Sequence, residues 1–162
     1  MPKGGRRMAQ LGGALPSRKI IHERQQRYTE LDARRTALRA EGDAMIARFR
    51  EGYPDAPAYL VRYADRTLSD YRWRLSSAGR WRREDRPAKI NYPVDLTGEA
   101  GADLLSRLPA VTRKHWLELE NQRIRLNFES ALVKYERMRV RSLIDQLEKL
   151  RKMLKNTDGR SF

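Results

Sequence analysis

The chain has 162 residues, the length of one domain, and no cysteine. That excludes disulfide frameworks, cysteine-ligated zinc, iron–sulfur clusters and thiol nucleophiles. Thirty-five basic residues against 21 acidic ones give a formal net charge of +14, and a charge of that size attracts polyanions, nucleic acid foremost.

Residues 1–16 hold Gly4, Gly5, Gly12 and Gly13 with Lys3, Arg6 and Arg7. The composition reads as a flexible basic arm, which either lies along a phosphate backbone or is simply a loose terminus. The arm lacks the apolar run of a signal peptide, and no apolar stretch approaches the roughly 20 residues that span a bilayer. The cytoplasm is therefore the expected compartment, with no membrane partner.

Ser17 suits a helix N-cap, and from there to Glu51 there is no proline and a single glycine, Gly42. Ile21, Tyr28, Leu31, Leu38, Met45 and Phe49 recur on one face, interrupted by Arg24, Arg35 and Gly42. The spacing predicts a helix of roughly 50 Å, stopped by Gly52, Tyr53 and Pro54. Residues 54–108 are punctuated by Pro57, Gly79, Pro87, Pro93, Gly98 and Gly101. Within them Tyr71, Trp73 and Leu75 alternate with Arg72 and Arg74, the period of a half-buried strand. Ser76 to Gly79 reads as a turn, with Arg80 to Glu84 returning. A small β-hairpin or three-stranded sheet is expected, with Tyr59 to Tyr63 as an extra strand. A lone hairpin is marginal in water, so it must pack on the helices.

From Pro109 to about Lys155 there is neither glycine nor proline, which predicts a second helix of roughly 68 Å. Its last part carries a heptad-like seam, Val140, Leu143, Leu147, Leu150 and Leu154, suited to a second copy or a partner helix. Leu126 and Val133 extend that seam. Another series, Leu117, Ile124, Ala131 and Met138, with Phe128 and Tyr135 beside it, predicts that residues 117–138 are sandwiched between the first helix and the middle segment. The expected fold is mainly α. Two long antiparallel helices form a coiled-coil-like hairpin in one domain, 17–155, with a β-containing insertion at about 54–108 and a tail at 156–162.

Two constellations bear on function. In the first, Arg72, Arg74, Arg80 and Arg82 stand among Tyr71, Trp73 and Trp81. Arginine forks phosphates and aromatic rings stack on bases; alternatively, the rings pack inward and the arginines are solvated. In the second, Arg123, Asn127, Ser130, Lys134, Arg137 and Arg141 fall within about 80° of arc on the second helix. That ridge is either a row of phosphate contacts or a polar seam paired with acids of the first helix, such as Glu23, Glu30, Asp32 or Glu41. Catalysis has little to stand on. His22 and His115 are isolated, no acidic pair has the spacing of a metal site, and no phosphate-cradling glycine loop or nucleophile elbow occurs. No cofactor is expected.

Two stretches, Tyr-Arg-Trp-Arg at 71–74 followed by Trp81, and Glu120-x-x-Arg123-Ile124-x-Leu126-Asn127 on the second helix, carry a resemblance. Over roughly residues 55–150 the chain resembles an uncharacterised family of proteobacterial proteins carried on integrating conjugative elements, some of whose members bear the name integrase regulator R. The resemblance implies a mobile-element context and a regulatory role. It highlights Arg72, Trp73, Arg74, Glu120, Arg123 and Asn127. Glu120 and Arg123 also have the i, i+3 spacing of a helix ion pair.

The expectation is a non-enzymatic nucleic-acid-binding accessory or regulatory protein of a mobile genetic element, with DNA ahead of RNA. The alternative is a helical protein–protein interaction module: a coiled-coil scaffold, or a small subunit or inhibitor docked on a larger complex. By segment, the arm contributes +3, the first helix +3, the middle +2 and residues 110–155 +6, so the excess charge concentrates on the last helix.

Overall fold

The structure, a computed structural model, describes residues 16–63, 70–81 and 92–158. The expected arm, apart from Pro16, lies outside them, as do Arg82 and the last four residues of the tail. The Ser17 hydroxyl accepts from the Ile20 N–H at 3.3 Å and opens α1 (Arg18–Gly52). Tyr53 closes it by donating its N–H to the Phe49 carbonyl at 2.8 Å, and Pro54 prevents continuation.

Three antiparallel strands follow: β1 (Ala58–Arg62), β2 (Tyr71–Leu75) and β3 (Pro93–Val94), with β2 in the middle. Leu60 stands opposite Trp73, and Trp73 opposite Val94. The expected strand near 59–63 is thus present. Residues 82–84 of the expected return lie outside the described residues; at its start Gly79–Trp81 is a 3₁₀ turn, and the strands that pair with β2 are β1 and β3. A period-two pattern identifies a strand but not its neighbour.

A short helix unforeseen in the sequence, α2 (Glu99–Ser106), leads into α3 (Ala110–Asp158). At Gly101 a Cβ would lie 2.1 Å from the Asp95 carbonyl oxygen, so only glycine lets α2 settle on the preceding turn. The 49 residues of α3 form one rod of about 73 Å. It runs antiparallel to α1, as its cross-links show: Gln25 to Glu148 at 3.5 Å, Arg27 to Glu136 at 2.8 Å, Arg137 to Asp32 at 2.9 Å, and Phe49 against Trp116. No helix among the described residues is long and apolar enough to cross a membrane.

The core joins Leu31, Leu38, Met45 and Phe49 of α1 to Leu60, Trp73 and Val94 of the sheet and to Leu119, Leu126, Val133, Val140 and Ile144 of α3. Gly42 belongs to this packing. A Cβ there would sit 2.0 Å from the ring of Tyr71, a side chain only 1% exposed, so glycine lets the ring cross α1. Its helix-propensity cost of about 1 kcal/mol relative to alanine is offset by that contact.

One expectation about α3 is overturned. Leu117, Ile124, Phe128, Tyr135 and Met138 are not sandwiched: they are 45–64% exposed. Both α1 and the sheet lie against the Leu119–Leu126–Val133–Val140 side, and among the described residues nothing covers the opposite face.

Candidate nucleic-acid interface

Of the residues highlighted by the sequence motifs, Trp73, Glu120, Arg123 and Asn127 come together between β2 and α3. Trp73 is 1% exposed and stacks on Trp116, with centroids 5.1 Å apart and planes at 17°. Its indole N–H donates to Glu120 Oε2 at 2.7 Å, and Glu120 is itself 4% exposed. Arg123 grips both oxygens of that carboxylate at 2.7 Å and also donates to the Tyr71 carbonyl at 3.1 Å. Asn127 completes the clamp. Its amide oxygen accepts from the Tyr71 N–H and its amide nitrogen donates to the Tyr71 carbonyl, both at 2.9 Å. Since β3 faces only Trp73 and Arg74, Asn127 serves Tyr71 where a longer strand would, and buried backbone groups need such partners. Burial, with Asp43 nearby, also pushes the Tyr71 phenol above its ordinary pKa.

The three remaining cations of the expected ridge are likewise occupied. Lys134 donates to Asp70 at 2.6 Å. Arg137 pairs with Asp32 at 2.9 Å and lies over the Tyr28 ring. Arg141 pairs with Asp145 at 3.4 Å and also approaches Tyr28. As far as Arg137 the ridge is therefore a polar seam, in which Asp32 alone among the acids anticipated on α1 takes part, whereas Arg141 stays 63% exposed beside Asp145 of its own helix.

The Arg–Trp segment divides differently. Arg72 is half-buried, with its guanidinium over Tyr63 at 5.8 Å. Arg74 is half-buried on the same strand. Arg80 is exposed and paired with Asp55, which also accepts from the Trp81 indole at 3.2 Å. Trp81, 40% exposed, is the ring of this segment that solvent reaches; Trp73 is too deep to stack on a base. The seam at 140–154 is corrected in part. Val140 is buried in the core with Ile144, and Leu147 and Leu154 are half-buried. Leu143 and Leu150 remain 38% and 44% exposed. The first partner of this seam is α1, because the antiparallel register brings the start of α1 alongside residues 140–148.

The free positive charge gathers elsewhere. The first turn of α1 and the last turns of α3 meet at one end of the hairpin, where Arg18, Arg151, Lys152 and Lys155 line an open groove with Ile21, Gln25 and Glu148. None of these four basic residues is in an ion pair among the described residues. Glu148, the acid in the groove, is bonded to Gln25 at 3.5 Å. A second, smaller pocket is lined by Arg35, Arg39, Arg62 and Lys134 with Asp70, Tyr71 and Ser130. There Arg62 is held by Asp43 at 3.0 Å and Lys134 by Asp70, whereas Arg35 and Arg39 are in no ion pair among the described residues. Neither grouping was legible in the sequence. The groove joins residues more than 120 positions apart, and Arg35 reads in sequence only as an interruption of the apolar face.

His22 is exposed, and His115 shares a 2.7 Å hydrogen bond between Nδ1 and the Tyr53 hydroxyl. Among the described residues no group of three His, Asp or Glu is placed to hold a metal ion. Comparison with protein-family models, curated proteins and solved structures finds no match.

Proposed function

We propose that this protein is a non-enzymatic nucleic-acid-binding accessory protein that contacts phosphates with the basic end of its helical hairpin. The observation that carries this reading is the groove of Arg18, Arg151, Lys152 and Lys155, unneutralised by ion pairs among the described residues on a chain of net charge +14. Cations without protein partners are free to displace counterions from a phosphate backbone, and counterion release supplies most non-specific affinity. Arg35 and Arg39 offer a second contact. The mobile-element context rests on the resemblance at 71–74 and 117–127. DNA stands ahead of RNA as the ligand.

The test is an anisotropy titration against labelled duplex and single-stranded DNA over a range of salt. The wild type binds at low salt with a steep log–log slope. Replacing Arg18, Arg151, Lys152 and Lys155 together by alanine flattens that slope by about 3 to 4. No binding at about 50 mM salt, or an unchanged slope in the variant, overturns the reading. The second reading, a helical interaction module, is favoured by the exposed apolar face of α3.

A further inference from the structure

We infer that the outer face of α3 is the docking surface for a second copy of this chain, paired antiparallel α3 to α3. This goes beyond nucleic-acid binding and rests on different residues. Leu117, Ile124, Phe128, Leu132, Tyr135 and Met138 are each 45–64% exposed. They run along one side of an unbroken helix for about 32 Å. Together they leave roughly 600 Å² of apolar surface open, the upper end for a monomer's largest patch and near the roughly 800 Å² that each partner of a stable pair buries. Isolated exposed leucines need no explanation, but a continuous stripe does.

The spacing fits a helix as the occupant. Leu117, Ile124, Ala131 and Met138 stand seven apart, as do Phe128 and Tyr135, the repeat that keeps a seam facing another helix through a left-handed supercoil.

Charge selects a second copy as that helix. From Leu117 to Met138 there are four acidic and four basic residues, so this stretch is neutral on a strongly basic chain. It neither repels its own copy nor draws a polyanion. At the two ends of the stripe stand Glu118 and Arg139, both exposed and in no ion pair among the described residues. In an antiparallel pair that sets Ile124 against Tyr135 and Phe128 against the small Ala131 of the other copy, Glu118 of each copy comes level with Arg139 of the other to within about 3 Å along the axis, inside the reach of the two side chains. Two-fold symmetry makes each of these contacts twice. Parallel pairing would instead lay the two basic segments at 139–155 side by side. Antiparallel pairing sends the two basic hairpin ends to opposite extremes of the dimer.

Sedimentation equilibrium of nuclease-treated, full-length protein tests this. The wild type is expected to be a dimer at micromolar concentration. Phe128→Glu, at a position 64% exposed in the protomer, should weaken association at least about 100-fold with unchanged circular dichroism. Glu118→Arg should weaken it several-fold, and adding Arg139→Glu should restore it. A monomeric wild type overturns the inference, as does a Phe128→Glu variant that still dimerises, or a charge reversal at Glu118 that costs nothing or is not rescued. None of these outcomes bears on nucleic-acid affinity, which the anisotropy titration reads separately.

Discussion

Arg123 and Arg151 lie on the same helix, and nothing in their residue type distinguishes them, yet their surroundings are opposite. Arg123 is folded against a buried carboxylate and a strand carbonyl; Arg151 lines an open groove with three other cations. The central third of α3 spends its polar side chains on holding the sheet, and its distal end leaves its cations to solvent. Basic residues therefore report binding only after their internal partners have been accounted for, because an arginine already paired with a carboxylate has little charge left to offer a phosphate.

The contrast can be broken from either side. The largest effect is expected at Trp73, which is buried between Phe49, Trp116 and Glu120. Trp73→Ala should cost about 4 kcal/mol in urea unfolding. A loss below about 1 kcal/mol would mean the ring is not a core element. Next comes Asn127→Ala, which strips the Tyr71 N–H of its acceptor and should cost about 2 kcal/mol. If that variant instead keeps full stability and loses DNA affinity, the clamp reading of the ridge fails and the phosphate reading returns.

The smallest effect is expected at Asp95, beside α2. The Thr97 hydroxyl and N–H donate to its carboxyl at 2.8 and 3.0 Å and hold its pKa below the ordinary value. A depressed folded pKa stabilises the fold above the unfolded pKa, and the contribution is lost as pH falls through the folded one. The stability advantage of the wild type over Asp95→Asn should thus be present at neutral pH and fade below about pH 4. An advantage that persists unchanged into acid contradicts this.

Much of the fold was legible because it is written locally. Ser17, Pro54 and Pro109 mark helix limits that the structure keeps to within a residue or two, and the alternation at 71–75 marked the central strand. The absence of glycine and proline after 109 marked a rod. What escaped was non-local. Asp70 finds Lys134, and Tyr71 finds Asn127, across more than 50 residues, and no spacing rule reports such pairs. On α3 both apolar series share a seven-residue repeat, so periodicity showed two faces without showing which one α1 and the sheet would cover. The eight-residue α2 is too short to announce itself between Gly98 and Pro109. The basic groove exists only because antiparallel packing brings the start of α1 beside the end of α3.

The most direct test of the central claim compares two variants of equal charge loss in the same salt-dependent DNA titration. One replaces Arg151, Lys152 and Lys155 at the hairpin end by alanine; the other replaces the exposed Arg48 and Arg50 near the sheet end of α1 and Lys114 at the start of α3. Neither set supports the core, so both variants should keep their stability to within about 0.5 kcal/mol. The first should lose about 3 from the log–log slope while the second keeps nearly all of it. Equal losses in the two would mean that net charge alone, and not the groove, attracts the polyanion.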